Sequence, residues 1–164
     1  MTSPTAPQPT PSTTPDPDRP SDAAEAALFD AAAAEHATVY GYGIVSAHSS
    51  PDENDLVSAA MAEHRERREA AIAMLTKRSA KAPLPAAGYQ LPIPVNNPND
   101  AANLAVRMED DCAVAWRAAL EHASTEQDRA FAVTALTEAA VTAARWKQVQ
   151  GIKPVTVAFP GGTE

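Results

Sequence analysis

From Ala23 onward the chain alternates between apolar and polar positions with the three- and four-residue spacing of amphipathic helices. The first such stretch runs to about Ala47. It places Leu28, Ala32, Glu35, Val39, Tyr42 and Ser46 on one heptad-like face, and Ser21-Asp22 offers its N-cap. Ser49-Ser50-Pro51 closes it. Pro51, followed by Asp52 and Glu53, opens a second helix to about Ser79, with Val57, Met61, His64, Arg68, Ile72 and Leu75 in a stripe. After Asn99 or Asp100 as cap, a third helix reaches about Ala123 and carries Ala102, Ala105, Glu109, Cys112, Trp116 and Ala119 on one side. Ser124 with Gln127 reads as a capping box for a fourth helix, ended near Val149 by Gly151 and Pro154. The helical domain is therefore expected over 21–151. Residues 1–20, mostly Pro, Thr, Ser and Asp with almost no large apolar side chain, read as a disordered tail, and 152–164 as an extended one.

The connections decide the topology. Short links join the first helix to the second and the third to the fourth, so each pair is expected to be an antiparallel hairpin. Between the pairs lies "KAPLPAAGYQLPIPVNNP", Lys81 to Pro98, rich in proline and without helical period. A helix of ~25 residues is roughly 37 Å long, and ~18 extended residues span some 60 Å. This segment can run the length of the bundle and make the second and third helices parallel. The predicted fold is all-α, a ferritin-like antiparallel four-helix bundle with one long crossover between helices 2 and 3.

Composition agrees with helix, since alanine is abundant while aromatics and glycines are few. A net charge of -8 repels phosphate backbones, and Arg65, Arg67 and Arg68 alternate with Glu63, Glu66 and Glu69, so nucleic acid is not an expected partner. Neither is a membrane, because no apolar run reaches the length of a span and the start does not read as a signal peptide. The single cysteine, Cys112, fits a reducing compartment, and the cytoplasm is the expected one.

The charged residues inside the apolar stripes carry the candidate chemistry. Glu35, His64, Glu109 and Glu138 lie mid-way along the four successive helices, at depths that let them meet. Di-iron bundles place a Glu on two helices and a Glu-x-x-His on each of the other two. Here the motif is missing: Glu109 is followed three places on by Cys112, and Glu138 by Val141. Three carboxylates and one imidazole leave two metals short of ligands. Two readings stand: a metal-free polar network of Glu35, His36, His64, Arg68 and Glu109, with Arg68 as counter-charge, or an iron or manganese ion on Glu35, His64, Glu109 and Glu138. Tyr42, Trp116 and Trp146 read as packing aromatics, and Cys112 as a small buried hydrophobe without a histidine at helical spacing.

"AEHATVYGYGIVSA", "EHRERREAAIAMLTKRSA", "YQLPIPVNNPNDAANLAVRMED" and "TALTEAAVTAARWKQVQG" together resemble an actinobacterial, often mycobacterial, alanine-rich family of domains of unknown function in the ferritin-like superfamily. The positions that carry the likeness are Glu35, His36, His64, Arg65, Tyr89, Leu91 and Pro92. The resemblance implies a fold and no activity. The expectation is a non-catalytic binding or structural module, dimeric as a homodimer, without cofactor. The alternative is a divergent metal-dependent oxidase. The N-terminal tail is a further candidate for docking a protein partner through polyproline structure.

Overall fold

The structure, a computed structural model, describes residues 16–162. Four long helices account for most of it: α1 (Ala23–His48), α2 (Asn54–Lys77), α3 (Pro98–His122) and α4 (Glu126–Val149), with no strand among the described residues. The starts follow local chemistry. Asp22 caps α1 by accepting from the backbone N–H groups of Ala24 and Glu25, both at 3.0 Å. The second helix starts later than expected, because Pro51–Glu53 form a separate 3-10 turn in which the Glu53 carboxylate reaches back to the Ser50 N–H at 2.9 Å. The third starts earlier. Asn97 is its cap, accepting from the Asp100 N–H, with Pro98 in the first turn, and the Asp100 carboxylate accepts from the Asn96 N–H and the Asn97 side-chain amide. The fourth is capped by Thr125, which accepts from the Asp128 N–H at 3.1 Å, so the Ser124 and Gln127 box does not form.

Two buried apolar clusters fix how the helices run. One joins Leu28 and Ala32 of α1 to Ala71 and Leu75 of α2, Trp116 of α3 and Ala132 and Ala135 of α4. The other joins Tyr42 and Val45 to Val57, Ala60, Leu104, Met108 and Trp146. The start of α1 thus meets the end of α2, the end of α3 and the start of α4. Helix α1 is antiparallel to α2 and α3, α3 is antiparallel to α4, and α2 runs parallel to α3. The connection that makes this possible is the segment from Arg78 to Asn97. Ala80 and Ala82 lie on the first cluster, while Leu91, Ile93 and Val95 lie on the second. Between these last three, Pro92 and Pro94 are exposed, the period of two expected of extended chain.

Alanines on the facing surfaces let α3 approach both α1 and α4 closely. The seam between α2 and α4 is different, because long side chains span it: Arg67 donates to the Ala135 carbonyl at 3.1 Å, and Arg78 pairs with Asp128. Of the tail expected over 1–20, residues 1–15 lie outside the described residues. The part from Asp16 to Pro20 rests on the bundle, held by a two-point pairing of Arg19 with Asp30 at 2.8 and 2.6 Å and by Lys81 on Asp18. After α4 the chain runs without regular structure and returns over α3. There Gly161 has φ +72°, and an added Cβ would stand 2.4 Å from the Ala113 carbonyl oxygen.

Candidate functional site

Between the two apolar clusters lies a polar layer with no solvent access. Glu35 of α1, His64 of α2 and Glu109 of α3 are each 0% exposed. The imidazole joins them, with Nδ1 2.6 Å from Glu35 Oε2 and Nε2 2.9 Å from Glu109 Oε1. The outer groups are aromatic. Trp116 Nε1 donates to Glu35 Oε1 at 2.6 Å, Tyr42 donates to Glu109 Oε1 at 2.5 Å, and Trp146 Nε1 donates to the Tyr42 hydroxyl at 2.9 Å. One continuous chain of hydrogen bonds therefore runs from Trp116 through Glu35, His64, Glu109 and Tyr42 to Trp146, touching all four helices.

Charge explains why two carboxylates tolerate this depth. A carboxylate oxygen accepts, so both ring nitrogens of His64 donate and the ring is an imidazolium. Burial by itself pulls its pKa down, but the neighbouring Cys112, Glu109 and Glu35 outweigh that and raise it to about 12. Arg67, 5% exposed, brings Nη1 to 3.8 Å from Glu35 Oε1. Two carboxylates, an imidazolium and a guanidinium sum to zero, which is the condition for burying them together. Cys112 stands beside the group, its sulfur 3.1 Å from Thr38 Oγ1. Burial first, and then the Glu35 charge, push its thiol up, so it stays protonated and unreactive. Tyr42 is likewise held well above the usual phenol range by burial and by Glu109.

Not every residue expected in this layer is there. Arg68 points outward and pairs with Glu69 at 2.7 Å, and the arginine turned inward is Arg67. Three and four residues beyond His64 both fall on its face of the helix, and the Ala135 carbonyl supplies an acceptor only for Arg67. Glu138 is also outside: its side chain is 45% exposed and 3.8 Å from Arg67 Nε, because Ala135 and Ala139 occupy the inward face of α4. His36 is buried but faces the crossover, near the Pro83 backbone. Burial first, and then the Arg68 charge, lower its pKa. Tyr42, Trp116 and Trp146, expected as packing aromatics, also hydrogen-bond into this layer. The signal available was that a buried Tyr or Trp requires a partner for its O–H or N–H.

As a set of metal ligands these residues are poorly disposed. The atoms that bring the strongest donors together, on Glu35, His64 and Cys112, lie within 4.8 Å of one another. Both His64 nitrogens and both Glu35 oxygens already have hydrogen-bond partners. Only Glu109 Oε2 among the carboxylate oxygens of the layer lacks a partner. The arrangement does not fit a pair of irons.

Among the described residues no helix is long and apolar enough to cross a membrane. No curated protein matches the chain. Among solved structures, the crystal structure of a conserved hypothetical protein, Rv2844, from Mycobacterium tuberculosis is 59% identical, covering 79% of this chain and 98% of that one, with a TM-score of 0.77. The model of a family described as "Domain of unknown function (DUF4439)" matches residues 27–164, most of the chain, and the protein belongs to that family.

Proposed function

We propose that this protein is a ferritin-like binding module in which a fixed ion cluster stands where related bundles hold two metals. Two observations support the architecture: a pair of antiparallel hairpins, and a crossover that traverses the bundle lengthwise. The observation that carries the functional reading is the bonding of His64 through both ring nitrogens to Glu35 and Glu109. An imidazolium clamped in this way is a cross-link between three helices. On this reading both ring nitrogens of His64 are taken up by hydrogen bonds, and the work of the protein is done on its surface.

A second reading rests on the proximity of Glu35, His64 and Cys112. If His64 gives up its proton to a metal, the layer becomes a single iron or manganese site suited to oxidase chemistry. Elemental analysis of untagged protein produced with iron and manganese supplied separates the two, with Glu35→Ala and His64→Ala alongside. The ion-cluster reading expects no stoichiometric metal in the wild type and loss of stability in both variants. Near-stoichiometric metal that vanishes in both variants would overturn it and make oxygen consumption the next assay.

A further inference from the structure

Among the described residues, Arg67 is a buried charge with two unpartnered nitrogens. Its Nη1 donates to Ala135, but Nε and Nη2 have no hydrogen-bond partner although the side chain is 5% exposed. The two carboxylates nearest to it, Glu35 and Glu138, both stand at 3.8 Å, beyond hydrogen-bond reach. A buried guanidinium with an open edge is costly, and the open edge is the Nε and Nη2 fork that a carboxylate fills with two parallel bonds. Beside it, between α2 and α4, is a groove of about 310 Å3, within the size range of small-ligand sites.

The groove's other walls decide what kind of acceptor fits. Glu63, Glu66 and Glu138 line it together with Ala70, Phe131 and Thr134. A plain anion would meet three carboxylates on the way to one arginine, and an amine alone would leave the fork open. We infer that the seam between α2 and α4 binds a free α-amino acid, its carboxylate on the Arg67 fork, its ammonium among Glu63, Glu66 and Glu138, and its side chain against Phe131 and Ala70. Glu138 is half-exposed, so it can swing away from Nε, open the fork and turn to the ammonium. Because Arg67 also faces Glu35, an occupied seam would be felt by the buried cluster. This names a ligand class for the binding module proposed above. The metal measurement reads the interior and the ligand measurement reads the seam, so either can fail alone.

The test is a thermal-unfolding titration of the full chain with glycine, L-alanine, L-glutamine and L-phenylalanine, and with acetate and ethylammonium as half-ligands. A dose-dependent rise in the unfolding midpoint with at least one amino acid, and none with either half-ligand, is the expected result. Arg67→Lys, which keeps the charge but loses the fork, should weaken the apparent affinity at least ~10-fold. Ala70→Phe, which fills the groove from outside the core, should abolish the response and keeps the test valid if the arginine variant folds poorly. No response to any of the four amino acids would overturn the inference and leave water as the partner of Arg67. An equal response to acetate, or full affinity in Ala70→Phe, would overturn it as well.

Discussion

At the scale of single residues, the polar layer is held by groups that have no substitute partners. Glu35→Ala would leave the His64 Nδ1–H and the Trp116 indole N–H without acceptors in a site closed to water. Breaking a buried pair from one side costs ~3–5 kcal/mol. Tyr42→Phe is milder: it removes one donor to Glu109 and the acceptor of Trp146, and should cost ~1–3 kcal/mol. Urea unfolding of the two variants should rank them in that order; a Glu35→Ala protein as stable as the wild type would show that the cluster is not a cross-link. Glu35, His64 and Glu109 were legible in the sequence because a charge in an apolar stripe has to be buried with a partner. Arg67 was not, since the helical period puts it and Arg68 on either side of the His64 direction, and only a carbonyl on another helix favours one of them.

At the scale of elements, close approach between α1 and α3 depends on one missing side chain. A Cβ at Gly41 would stand 2.0 Å from Met108 Sδ, which belongs to the flexible end of a side chain. Gly41→Ala therefore sets a gain in helix propensity of ~1 kcal/mol against overpacking of ~1–3 kcal/mol. A net loss of stability is expected; in a Met108→Ala background, where the clash is gone, the same substitution should instead stabilise. A single Gly41→Ala protein more stable than the wild type would mean that Met108 repacks freely. Helix existence was plain from period and composition, whereas helix starts were not. Asn97 competes with Asn99 and Asp100, and Thr125 with Ser124, as caps of nearly equal local merit. The winner in each pair is set by where the preceding chain arrives.

For the whole molecule, the buried ionisable groups make stability a peaked function of pH. The folded pKa of His64 is raised to about 12, so its contribution is full below the unfolded value near 6.5 and is lost progressively as pH rises toward 12. Cys112 and Tyr42, also raised, add losses in the same direction above their ordinary values. His36 is lowered, so its contribution is present above about 6.5 and is lost as pH falls through the folded pKa. Between pH 5 and 9 the unfolding midpoint should peak close to 6.5 and decline on both sides. His64→Gln should flatten the alkaline limb and His36→Gln the acid limb. A midpoint that climbs steadily from pH 7 to 9 would contradict the imidazolium assignment.

The sequence alone was enough to determine four helices, two tight hairpins and one long proline-rich crossover, because propensity, period and chain reach are local quantities. It was also enough to mark Glu35, His64 and Glu109 as inward charges. Only the tertiary structure decided how those charges pair. Whether an imidazole between two carboxylates is a metal ligand or a protonated cross-link depends on distances of a few tenths of an ångström among three helices. Whether a carboxylate such as Glu138 faces in or out depends on which neighbour, here Ala135 or Ala139, fills the inner face first. These are properties of packed surfaces, set by residues far apart along the chain.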